Sequence, residues 1–153
     1  MAAVQPIPDN YPVVTPYLCV KDAAKAIEFY AQVFGAVERL RIDAPGGKIG
    51  HAELSIGIGL LMLADEYPEM EFRGLESLGG SPVVIHLYVS DVDQVCERAV
   101  AAGAELTRPV ANQFYGDRVG QFRDPFGHRW SVGTRIEEVS IDEVKKRAAA
   151  TSG

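Results

Sequence analysis

The chain contains one unit written twice. "YLCVKDAAKAIEFYAQVFGAVE" (residues 17–38) aligns with "HLYVSDVDQVCERAVAAGAEL" (residues 86–106). Leu18 falls on Leu87, Val20 on Val89 and Asp22 on Asp91; after one gap, Gly35–Ala36 falls on Gly103–Ala104. An internal repeat restricts the fold more than composition does, because each copy must build the same supersecondary unit.

Each copy opens with the alternating apolar residues of a strand. Asp22 or Asp91 then stands as a helix N-cap, its carboxylate accepting from free backbone N–H groups. In the second copy Asp91-x-x-Gln94 also fits a capping box. The first helix carries Ala23, Ile27, Tyr30 and Phe34 as one apolar stripe, and the second carries Val92, Val95, Cys96, Ala99 and Val100. Gly35 and Gly103 occupy the position where a left-handed residue ends a helix. Three short strands follow each helix, near 37–43, 48–56 and 58–64 and near 105–109, 118–123 and 128–134, with "APGGK" as a turn. Each half therefore reads β-α-β-β-β.

The expected fold class is α+β: two paired βαβββ modules forming a curved mixed sheet with an open cleft. The 153 residues fit one domain, made of module 12–64, linker 65–81, module 82–135 and a C-terminal helix 140–149. The linker, "DEYPEMEFRGLESLGGS", is acidic and lacks clean periodicity; a crossing between modules and a flap over a site are both open readings. In the tail, Ser140-x-x-Glu143 is a second capping box, and Val139 with Val144 fits a hydrophobic staple. Lys145–Arg147 suits the negative end of that helix, which we read as a packing or dimer element.

The chain is 47% hydrophobic and 24% charged, as ordinary globular proteins are. Its longest apolar run, around Ile58–Ala64, is too short to span a bilayer. The N-terminus lacks the pattern of a signal peptide, so no membrane association and a cytoplasmic location are expected. The net charge of −6 and pI near 5.0 argue against a nucleic-acid partner. Cys19 and Cys96 form no metal-type or redox spacing and are read as packed free thiols.

Strand alternation separates two faces. Leu18 and Val20, then Ile85, Leu87 and Val89, form an apolar face for the helices to cover; Tyr17 and Cys19, then Val84, His86 and Tyr88, form the other. The same split sets Ala52 and Leu54 against His51 and Glu53. It sets Phe122 against Gln121 and Arg123, and Trp130 and Val132 against Arg129 and Ser131. The second face suits a partly enclosed cleft. The densest stretch, "GDRVGQFRDPFGHRWSV", is mainly architecture: Asp at i, Pro at i+1 and Gly at i+3 make Asp124–Gly127 a type I turn. His128, by parity with Trp130, is a capping or packing histidine.

The paired modules, "VTPYLCVKDAAKAIEFYAQVFGA" and the closing "DPFGHRW" resemble the vicinal oxygen chelate superfamily, which includes glyoxalase I, extradiol dioxygenases, fosfomycin-resistance enzymes and bleomycin-resistance proteins. "GKIGHAELSIG", "LMLAD" and "YGDRVGQFRDPFGHRW" are similar to its PhnB-like and glyoxalase/bleomycin-resistance branch. The resemblance covers about residues 12–135. It places the metal-ligand positions of the family's enzymes at Thr15, near Leu61, at Val84 and at Ser131. Transition metals prefer His, Cys or carboxylate donors, so the resemblance implies the metal-free, bleomycin-resistance kind of relative, with no metal and no cofactor.

The expected function is therefore sequestration of a small organic ligand in an intermodule groove, by a protein that pairs as a homodimer. The expected ligand-binding residues are Tyr17, His51, Glu53, His86, Tyr88, Phe114, Tyr115, Gln121, Arg123 and Ser131. Aromatics would stack on planar groups, and Arg123 or His51 would meet acidic ones. The alternative is a metal-dependent lyase, isomerase or dioxygenase with a displaced site built from His51, Glu53 and His86. Glu53 with His86 as a metal-free acid–base pair also stays open, as does a plain hydrogen-bonded pair of His51 and Glu53.

Overall fold

In the computed structural model, residues 4–151 are described, apart from the side chain of Glu76. They form two compact units that meet in sequence between Leu78 and Gly79. Each unit contains one four-stranded mixed sheet with a helix packed on it, so the two βαβββ modules build two sheets.

In the first unit β1 (Tyr17–Val20) leads into α1 (Ala23–Phe34), followed by β2 (Val37–Ala44), β3 (Lys48–Ile56) and β4 (Gly59–Asp65). The strand order is β1-β4-β3-β2, with β1 parallel to β4 and the other pairs antiparallel. The second unit repeats this with β5 (Val84–Tyr88), α3 (Val92–Ala101), β6 (Glu105–Asn112), β7 (Asp117–Arg123) and β8 (Arg129–Arg135), in the order β5-β8-β7-β6. Aligning the two registers makes Met62 the counterpart of Ser131, Glu53 of Gln121 and Leu54 of Phe122.

The helices form where their caps allow. The Asp22 carboxylate accepts from Lys25 N at 3.2 Å, and that of Asp91 from Gln94 N at 3.1 Å. Gly35, at φ +69°, ends α1 and donates to Ala31 O. The first helix buries Ala23, Ala26, Ile27, Phe29, Tyr30 and Val33. Val33, not Phe34, closes its buried face, because the inner stripe is wider than one i, i+4 row. A further side chain secures each N-terminus: the Asp65 carboxylate accepts from Ala23 N at 2.9 Å, and its counterpart Thr134 accepts from Val92 N at 2.9 Å. Under α3 the sheet carries Gly120, where an added Cβ would come within 2.9 Å of Cys96 Sγ. That glycine lets helix and sheet pack closely.

Asp65–Ser81 is not a bare linker. Asp65 closes β4 with its carboxylate buried, also accepting from Ile49 N at 2.7 Å. Tyr67 and Phe72 bridge each other, and α2 (Leu75–Leu78) follows. Glu66 holds this loop by accepting from Gly74 N at 2.6 Å. The tail helix α4 (Ile141–Thr151) starts with Glu143 N donating to Ser140 Oγ at 3.2 Å. It runs through Ala148–Ala150, good helix formers, so Lys145–Arg147 lies in its middle and not in its last turn. Arg147 ties it back, donating to Glu137 at 2.9 Å and to Phe114 O at 3.0 Å.

"DPFGH" is a turn built around one carboxylate. Gly127 N donates to Asp124 O at 3.0 Å, closing the turn. The buried Asp124 side chain accepts from Phe126 N, His128 N and Trp130 Nε1 at 2.8–2.9 Å. His128 is buried in this turn, and Trp130 is 1% exposed on the helix side.

Candidate functional site

Each sheet has one face under its helix and one that carries polar and aromatic groups. On the first unit, Tyr17, Met62 and Glu53 lie in one row across β1, β4 and β3. Glu53 is 6% exposed, and both carboxylate oxygens are used. Tyr11 Oη donates to Oε1 at 2.5 Å, and His51 Nε2 stands 2.7 Å from Oε2. Tyr17 Oη in turn lies 2.7 Å from His51 Nδ1. These bonds, His51 foremost and then Tyr11, hold the Glu53 carboxyl below its ordinary value against the opposing effect of burial. Beside an ionised Glu53, Nε2 is the donor, which leaves Nδ1 facing the Tyr17 hydroxyl. Burial, and the negative charge of Glu53, push the Tyr17 phenol up, which keeps it protonated. Phe72 meets the Tyr17 ring edge-on at 5.6 Å between centroids.

On the second unit the equivalent row is His86, Ser131 and Gln121. His86 Nδ1 lies 2.9 Å from Ser131 Oγ, and its ring meets Tyr88 edge-on at 4.8 Å. Gly133 lies beneath that imidazole: an added Cβ would sit 3.3 Å from His86 Cε1. Tyr88 Oη donates to the buried Asp117 at 2.7 Å. Phe114 and Tyr115 form an edge-on pair in the loop before β7.

The predicted residues thus divide by unit. Tyr17, His51 and Glu53 form one hydrogen-bonded chain; His86, Ser131 and Gln121 form a row with Tyr88 beside it. Arg123 Nη2 donates to Glu105 Oε2 at 2.7 Å, an exposed cross-strand pair on the neighbouring strand. Glu53 and His86, the other candidate pair, belong to different units, and each has hydrogen-bond partners within its own. Tyr11 and His51 take both Glu53 oxygens, and Ser131 engages His86. His51 and Glu53 form the hydrogen-bonded pair, Nε2 standing 2.7 Å from Oε2.

The positions of the family's metal ligands do not fit a metal here. The register puts Met62, not Leu61, on the polar face, since Leu61 is buried toward the helix side. Thr15, Met62, Val84 and Ser131 together offer hydroxyls, a thioether and an alkyl group, a poor set for a divalent transition metal. Among the described residues, no group of three or more His, Cys, Asp or Glu converges in metal-holding geometry.

Two residues escaped sequence reasoning. Tyr11 lies in an irregular segment where neither helix nor strand period applies. Asp117 was within reach: it shares parity with Gln121 along β7, which puts it on the polar face. What this arrangement offers is hydrogen-bond donors, ring faces and a proton path between Tyr17 and Glu53.

The paired βαβββ fold is shared by several solved structures. TioX from Micromonospora sp. ML1 is 27% identical with a TM-score of 0.61, over 80% of this chain and 97% of that one. The fosfomycin resistance protein FosX from Listeria monocytogenes, solved with Mn(II) and sulfate, is 20% identical with a TM-score of 0.63, over 90% and 97%, a likeness of fold. Protein Mb0911c of Mycobacterium bovis is 46% identical over 137 residues, 88% of this chain and 90% of that protein. The profile of the Glyoxalase/Bleomycin resistance protein/Dioxygenase superfamily matches residues 12–132, and the chain belongs to that family. Among the described residues no helix is long and apolar enough to cross a membrane.

Proposed function

We propose that the protein binds a small organic molecule on the polar faces of its sheets, as a cytoplasmic, homodimeric binding protein of the bleomycin-resistance kind in the PhnB-like branch. The ligand is held without metal and leaves unchanged. One observation carries this reading: the buried Glu53 carboxylate, fixed by Tyr11 and His51, orients a protonated, half-exposed Tyr17 on a face that also carries ring surface from Phe72. Pre-ordered donors beside aromatic walls favour organic ligands, since little ordering cost remains at binding. The donor set at Thr15, Met62, Val84 and Ser131 supports the metal-free form.

A thermal-shift screen of organic compounds in EDTA tests it. A ligand in large excess over its dissociation constant should raise the melting temperature by several degrees, following about 2.7 kcal/mol at a hundredfold excess. Tyr17→Phe should weaken the shift, and EDTA should not. Shifts that appear only with added Zn, Ni, Mn or Fe, and disappear in His86→Ala, would favour the displaced metal site.

A further inference from the structure

A pocket of about 420 Å³ opens at the end of the second sheet, lined by Tyr88, Tyr115, Asp117, Arg135, Glu137 and Glu138 among others. Backbone hydrogen bonds hold its rim. Gly116 O accepts from Ile136 N and Glu137 N at 2.9 and 3.0 Å, and a Cβ at Gly116 would come within 2.5 Å of Glu137 O. The wall that follows β8 is thus fastened to the loop before β7.

The charges inside are unequal in their partners. Glu137 is engaged by Arg147 at 2.9 Å, and Glu138 stands 4.0 Å from Arg135. Asp117 is 5% exposed and accepts only from Tyr88 Oη, through Oδ2. Its Oδ1 receives no hydrogen bond from the described residues, and no cationic nitrogen among them reaches ion-pair distance. A buried carboxylate with an open oxygen is costly unless a donor or cation meets it. Two phenol rings beside it add surface that attracts a cation or stacks on a ring.

We propose that this pocket is a seat for an organic ammonium ion with an aromatic or apolar body, its charged nitrogen held by Asp117 Oδ1 and its body packed against Tyr88 and Tyr115. Tyr88 keeps its proton, since the bond to Asp117 raises its phenol above the ordinary value. It therefore stays a donor to the carboxylate and leaves Oδ1 to the ligand. The seat goes beyond the binding reading above, which stands or falls on other residues.

The test is an NMR titration of the full chain with three probes of one shape: phenethylamine, phenethyl alcohol and 3-phenylpropionate. The amine should bind at least about tenfold tighter than the alcohol, with shifts centred on residues 115–117 and 135–140, and the acid should not compete. Asp117→Asn should remove the preference for the amine. Tyr88→Phe keeps the carboxylate and should retain that preference, which serves if the Asp117 variant fails to fold. Equal affinity for amine and alcohol, no perturbation of these residues up to the solubility of the amine, or amine shifts confined to the Tyr17–His51–Glu53 face would overturn the proposal. None of these outcomes counts against organic binding on the other face, and the last would support it.

Discussion

The two units share one side and differ on the other. Beneath the helices the pattern repeats: Leu18 and Val20 against Leu87 and Val89, Leu54 against Phe122, Asp65 against Thr134 as acceptors for the first helical amide. On the polar faces the same row reads Tyr17–Met62–Glu53 in one unit and His86–Ser131–Gln121 in the other. The covered side must fill a helix–sheet interface at crystal-like density, so its residue types are constrained by shape. The polar side has no such duty, and there the two copies have acquired different chemistry.

The largest effects should come from breaking the shared side. Phe122→Ala should cost about 3–5 kcal/mol and its counterpart Leu54→Ala about 2–5 kcal/mol, measured by urea unfolding. The helix acceptors come next. Asp65→Ala strands two amides, Ala23 N and Ile49 N, at about 1–3 kcal/mol each. Thr134→Ala strands only Val92 N, so it should cost less, and a larger loss than for Asp65 would break the equivalence.

The polar faces should respond to pH unequally. Glu53 has its carboxyl lowered on folding, so its stabilisation is complete above the ordinary carboxylate range and fades as pH falls through the lowered value. Glu53→Gln should flatten that acid limb of the stability curve, while Gln121→Ala, at the equivalent place, should leave its shape unchanged. The smallest effect concerns the thiols. Burial pushes both Cys19 and Cys96 up to about 11, so both should react slowly with a thiol reagent at neutral pH.

Much of the fold was legible in the sequence because repetition and period-two alternation report directly on packing. The turn at Asp124–Gly127, both N-caps and the facing of His51, Glu53 and His86 follow from local pattern. Partners did not follow. That Arg123 pairs with Glu105 depends on which strand lies beside β7, a long-range pairing no local period encodes. Tyr11 reaches Glu53 from 42 residues away through an irregular segment. Asp65 reads as a polar linker residue, whereas its buried carboxylate accepts from two amides, one of them at the N-terminus of α1.

The central claim, that the polar faces bind an organic molecule without metal, is tested most directly by mapping a bound screening hit by NMR in the presence of EDTA. Shifts should fall on Tyr17, His51, Glu53 and Met62, on His86, Gln121 and Ser131, or on both rows, and should persist with the chelator. Shifts on the helix-covered residues, or binding that vanishes with EDTA and returns with a divalent metal, would contradict it.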